Sequence, residues 1–224
     1  MLYKTRGIVL HSMKYRETSV IVKIFTEELG LKSYIVNNVR TKNRTSIALY
    51  QLFTILDLVV YNKEGSSLNR IKEVNVLEPL HSIAHNFKKN SIVIFLAEVI
   101  CKILQPELKD KNLFNFLLNS IIALEEKNSQ IENFHIKFLF ILTRYLGFEP
   151  LSIHDMLYQI GERIDESLIP DLNEFIHETS YEQSIDLSAS QRSNILNNLV
   201  KYYKIHITSL QSINSLSILK ELFI

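Results

Sequence analysis

The chain has 224 residues, 46% of them hydrophobic and 22% charged, which is enough to bury a sizeable core and excludes disorder as the main state. With only 5 Gly and 4 Pro, collagen-like, linker-like and turn-dense all-β chains are excluded too, and a large helical share is expected. The formal net charge of +1 divides unevenly: residues 1–80 hold 12 Lys+Arg against 7 Asp+Glu and residues 81–224 hold 13 against 17, a basic front joined to an acidic back.

The first 78 residues read as strands separated by turns. Tyr3–Lys14 is followed at once by the largely β-branched Thr18–Thr26. Glu27-Glu28-Leu29-Gly30 then closes a turn that returns Leu31–Val39 as a hairpin, Gly30 being free to take positive φ. Polar, basic Arg40–Ser46 is a loop, Leu52–Asn62 a fourth strand apolar on both faces, and Asn69–Leu77 a fifth. Five closely spaced antiparallel strands predict a small barrel, with the five-stranded OB fold as the economical choice and an SH3-like barrel as the alternative.

From Pro79 onward the apolar period changes from 2 to 3.6. Ile83 to Leu104 gives a first helix in one or two pieces, stopped by Pro106. Leu113 to Leu124 marks a second, and Ile131 to Leu146 a third with Gly147 at its C′ position. Residues 151–187 are poorly patterned and read as irregular loops with a short helix at Asp171–Glu178. Ser188 or Ser190 caps a further helix through Tyr203, and Ser215 a final one through Leu222. The expected class is therefore α+β: an N-terminal barrel over residues 1–79 and an all-helical region over 80–224.

Little in the chain speaks for catalysis. The glycines are scattered singly, so no phosphate-cradling loop exists. The lone Cys101 can form no internal disulfide and no multi-cysteine zinc site, which points to a reducing, cytoplasmic location. The start has no apolar h-region, and no apolar run reaches the roughly 20 residues of a membrane span, so no secretory signal or membrane association is expected. His81 and His85 share a helix face without a Glu to complete a metalloprotease pattern, and His154-Asp155 reads as a helix start. Glu27-Glu28, Glu125-Glu126 and Asp165-Glu166 are adjacent pairs that do not share a face, unlike a two-metal site. No catalytic residue, metal or cofactor is expected.

The basic residues of the front half are more informative. Arg6 lies on the first strand, Lys14 and Arg16 at the first hairpin, Lys32 after Gly30, and Arg40, Lys42 and Arg44 alternate with Thr41, Asn43 and Thr45 in one loop. Long cations mixed with small hydroxyl and amide donors can meet successive phosphates without demanding a base sequence. Tyr15 and Tyr34, close to these cations, are candidates to stack on unpaired bases, the competing reading being core tyrosines.

The runs Gly7-Ile8-Val9-Leu10, Tyr15-Arg16-Glu17-Thr18-Ser19 and Ile24-Phe25-Thr26-Glu27-Glu28-Leu29-Gly30 resemble the opening of the RecO family of bacterial recombination mediators. The resemblance continues through Val39-Arg40, Leu52-Phe53-Thr54, the Leu146-Gly147-Phe148-Glu149-Pro150 stop and Tyr202-Tyr203-Lys204-Ile205-His206. It implies an OB domain followed by a helical domain. It also implies binding of single- and double-stranded DNA, annealing of complementary strands, contact with single-stranded-DNA-binding protein (SSB), and action with RecR in loading RecA. The chain departs from the family's pattern at two places. Many members carry a four-cysteine zinc site after the Gly-Phe-x-Pro-like stop, where this chain has no cysteine. A small Lys-Gly-Ala-Arg-like turn is replaced by Asn37-Asn38-Val39-Arg40, which lacks the Lys. A pure protein-interaction scaffold is the competing reading, and it predicts that the basic loop is tied up in salt bridges.

Overall fold

A computed structural model describes residues 1–37, 39, 47–63, 65–106, 108–182 and 185–223. The expected barrel is present. Strands β1 (Leu2–Tyr15), β2 (Ser19–Thr26), β3 (Gly30–Val36), β4 (Ile55–Tyr61) and β5 (Asn69–Glu78) close in the order β1-β2-β3-β5-β4, with β4 returning to β1. The parallel β3–β5 contact, Tyr34 opposite Asn69 and Ile35 opposite Arg70, gives the barrel its OB-type order and sets aside the SH3-like alternative. β1 serves two neighbours: its first half pairs with β4 and its second with β2, the ladder slipping at a bulge between Val9 and His11. The fourth strand begins at Ile55 rather than Leu52. Phe53 takes φ +65 with its ring buried and its N–H donated to the Val9 carbonyl at 2.7 Å, so the chain turns there instead of extending.

The strand alternation sorts side chains cleanly. Val9, Val20, Val22, Ile24, Tyr34, Leu56, Leu58 and Val60 fill the barrel. The opposite face supplies Ile8, Leu10, Phe25, Leu31 and Ile55, and these belong to the larger core that the helices build. That core is assembled on α1 (His81–His85), α2 (Phe87–Ile103), α3 (Lys111–Glu126), α4 (Phe134–Leu146), α5 (Ile153–Ile160), α6 (Ile169–His177), α7 (Ala189–His206) and α8 (Ser215–Phe223). The β2–β3 turn is clamped to the start of α3: Gly30 sits at φ +69 where an added Cβ would lie 2.4 Å from the Leu108 carbonyl oxygen, and Phe25 meets Phe114 with ring centroids 6.0 Å apart.

Residues 151–187 are more regular than their pattern suggests. Ser152 accepts from the Asp155 N–H and Gly161 closes α5 in the left-handed region, so Ile153, Met156 and Leu157 reach the core. α6 follows, burying Ile169, Leu172, Phe175 and Ile176. Its C-terminal carbonyls, which have no partner within the helix, are taken by cations of α4. Buried Lys137 donates to Phe175 O, and Arg144 donates to the Ile176 and His177 carbonyls at 3.0 Å. Burial pushes Lys137 down to about 8, and its ammonium lies 4.4 Å from the centre of the Phe175 ring. Apolar packing and two cation caps thus hold α5 and α6 to the core.

Several other charges of the back half are similarly committed. Glu125 accepts from the Ser82 and Ile83 N–H groups and caps α1, while buried Lys89 donates to Ser82 Oγ and the Glu125 carbonyl, both at 2.7 Å. Ser188 caps α7 in a reciprocal arrangement with Gln191. His85 Nδ1 faces the His81 carbonyl at 2.8 Å, and Asp155 accepts from the Leu151 N–H at the head of α5.

His135, fully buried between Phe95 and Phe223, has no hydrogen-bond partner for Nδ1 among the described residues. Burial, with Arg192 nearby, pushes it down to about 3, so the fold holds it neutral. The unfolded chain takes up a proton near pH 6.5 that the fold refuses, and stability falls as pH drops through that value. The site alone is expected to make the protein about 2 kcal/mol less stable at pH 5 than at pH 7.5. His135→Phe should remove that part of the slope; chemical denaturation at the two pH values measures it, and an unchanged slope would contradict it.

Candidate nucleic-acid interface

An OB barrel presents the outer face of its second and third strands, with the adjoining loops, to oligonucleotides. The register here builds that face residue by residue. Met13 pairs with Ile21, Ile21 with Ile35, Ile35 with Arg70 and Arg70 with Tyr61. Cross-strand partners point to the same side of a sheet, so these five residues form one outward row over all five strands. Met13 and Tyr61 are each 48% exposed, Arg70 is exposed, and Ile21 and Ile35 are half-buried. Next to it, towards the helices, runs a second row, His11–Lys23–Ser33; beyond that lie Ile8, Phe25 and Leu31, covered by the helical core. The free part of the face is therefore apolar along its centre and edged by cations.

Of the residues singled out from sequence, Arg16 belongs to this surface. Arg16 turns the β1–β2 hairpin at φ +54 with its guanidinium 5.2 Å from the centre of the Tyr15 ring. Lys14 is exposed but pairs with Val20 on the barrel-interior side of β1, where it lines the open end of the barrel with Val39 and Tyr50. Arg40, Lys42 and Arg44 lie outside the described residues. The remaining three are placed differently. Arg6 is at the barrel–helix junction, where it donates to Glu27 through Nε at 2.9 Å and Nη2 at 2.8 Å, reaches Asn115 at 3.2 Å and covers the Phe114 ring. That pairing holds the Glu27 carboxyl below the usual carboxylate range and commits Arg6 to the junction. Tyr34 is 1% exposed inside the barrel; burial raises its phenol, and no base can stack on it in this fold. Lys32 shares the inward side of β3 with Tyr34, opposite Ile24 and near the β2–β3 turn, away from the free row.

The sequence reading passed over Lys23, Arg70 and Tyr61. Lys23 stood alone among β-branched residues, and Arg70 and Tyr61 come together only through β4–β5 pairing. Among the described residues no helix is long and apolar enough to cross a membrane.

Comparison with known proteins agrees with this architecture. The family profile described as Recombination protein O N terminal matches residues 1–80, and that described as Recombination protein O C terminal matches residues 84–156. The DNA repair protein RecO of Flavobacterium psychrophilum is 35% identical over 240 residues, covering all of both chains. The chain belongs to the RecO family. RecO proteins of Azobacteroides pseudotrichonymphae and Bacteroides fragilis are each 32% identical, again over the full length of both chains. The RecO assignment places the chain among DNA repair proteins, and its N-terminal profile ends two residues past the last strand.

Proposed function

We propose that the protein is a non-enzymatic recombination mediator that binds single- and double-stranded DNA and anneals complementary strands. The observation that carries the reading is the outward row Met13–Ile21–Ile35–Arg70–Tyr61 with Arg16 and Lys23 beside it, on the strands that OB barrels use for oligonucleotides. Cations there hold phosphates without reading sequence, and the apolar row receives exposed base faces. Two strands held in this way meet at high local concentration, and base pairing supplies the driving force; no bond is made or broken by the protein. The Arg40–Arg44 loop adds phosphate contacts to the same task.

Within this reading the barrel over residues 1–79 is the DNA-binding unit, and the helical unit over 80–224 serves protein contacts, in keeping with its acidic balance. Those contacts are SSB and RecR, through which RecA is loaded onto SSB-coated single strands in the cytoplasm, at the nucleoid. The test is annealing of two complementary strands carrying a donor–acceptor dye pair. The protein is expected to accelerate pairing at low salt and to lose the effect as salt rises. Pairing no faster than the protein-free control would overturn the proposal in favour of a protein-interaction scaffold.

A further inference from the structure

The free β2–β3 face ends in a cleft. Where it meets the helices, a cavity of about 550 Å³ opens between the barrel and α2 and α8, within the size range of small-ligand sites. About half of its lining is apolar: Leu10 and Leu52 from the barrel side, Ala97 and Cys101 from α2, Ile218 from α8. At its mouth stands Lys23, exposed, two residues along β2 from Ile21 of the outward row. The cleft also contains a carboxylate, Glu98, but Glu98 is matched by Lys102 at 2.6 Å and accepts from Asn214 and Ser215 as well. Among the described residues no carboxylate pairs with Lys23, and burial together with Lys23 pushes His11 beside it down.

We propose that this cleft takes an unpaired nucleobase from a strand lying on the β2–β3 face, with the adjoining phosphate at Lys23. The inference rests on the DNA-binding reading above and adds a subsite to it. The apolar side chains of the lining suit the faces of a base, and Lys23 in the same lining suits its phosphate. His11 and Lys23 of the adjacent row line the cleft, so a strand crossing Met13 and Ile21 is one row away from it. A base in a duplex is already paired and stacked, and it enters only after extrusion. The cleft therefore favours single strands and strand ends, the substrates of annealing.

Cys101 makes the inference measurable in the unaltered protein, since it is the chain's one cysteine and lines the cleft. The experiment follows alkylation of Cys101 by iodoacetamide, read by mass spectrometry, with fluorescence anisotropy of the labelled strand in the same samples. An oligothymidylate at ten times its dissociation constant should slow alkylation about tenfold. An abasic strand of equal length, present at the same multiple of its own constant, should bind and leave the rate unchanged. Binding of oligothymidylate without protection overturns the cleft and leaves DNA binding standing. Equal protection by the abasic strand also overturns it, because the backbone then merely covers the mouth. No anisotropy change with either strand, at low salt, overturns the DNA-binding reading together with the cleft.

Discussion

Replacing Arg16 and Arg70 together by glutamate is expected to lower affinity for single-stranded DNA by at least about 25-fold at 0.1 M salt, with the thermal midpoint unchanged. Each lost phosphate contact on a single strand removes about 0.7 from the slope of log affinity against log salt, which is about fivefold per contact at that salt. The slope should therefore fall by about 1.4 in the double variant. Both side chains are exposed, one on the β1–β2 hairpin and the other at the start of β5, so the cost falls on binding rather than on folding. Arg40→Glu with Arg44→Glu, chosen from the sequence, should act in the same direction. Arg6→Gln serves as the contrast. It should loosen the junction with Glu27 and Asn115 and leave the salt slope as it was. Anisotropy titrations at several salt concentrations decide among these variants, and an unchanged slope in the double variant would move the interface elsewhere.

The largest expected effect on stability is at Glu98. Its carboxylate accepts from Lys102 at 2.6 Å, from the Asn214 and Ser215 N–H groups at 2.9 and 2.8 Å, and from Ser215 Oγ at 2.6 Å. One side chain of α2 thus caps the first turn of α8 and fixes the C-terminal helix to the core. Hydrogen bonds from Lys102 and Ser215 outweigh the cost of burial and hold Glu98 down at about 2. That depression corresponds to about 3 kcal/mol, so Glu98→Ala should lower the midpoint by roughly 6–12 °C. Because the folded pKa is depressed, the contribution is present in full above about pH 4.5 and is lost as pH falls towards 2. The deficit of the variant should accordingly be constant from pH 7 to pH 5 and shrink below pH 4.5. Glu98→Gln, which keeps an acceptor oxygen, should lose less. Calorimetry of the three proteins checks the order, and a midpoint unchanged in Glu98→Ala would contradict the capping role.

The barrel was legible in the sequence because β-branched runs and the Gly30 turn are local signals, and the helices because their apolar period is regular. What escaped was set by pairing over distance. Arg6 reads as a free cation until the β1–β2 ladder brings Glu27 beside it, twenty-one positions away. Tyr34 looked available because β3 has apolar residues on both faces; only its neighbours Val22 and Asn69 show which face is inward. The α5 helix was hidden by its short length, although Ser152, Gly161 and the spacing of Ile153, Met156 and Leu157 were its caps and stripe. Buried Lys89 and Lys137 carry no signal at all in sequence, since each is committed by a carbonyl from a distant helix.

The central claim is that the outer β2–β3 face holds nucleic-acid backbones through its cations. The most direct test is fluorescence anisotropy of a labelled single strand titrated with the unaltered protein at 50 and 200 mM salt. Saturable binding is expected at the lower salt, weakening steeply at the higher one, with the slope reduced in the Arg16, Arg70 double variant. Absence of binding at 50 mM, or binding indifferent to salt, would contradict it.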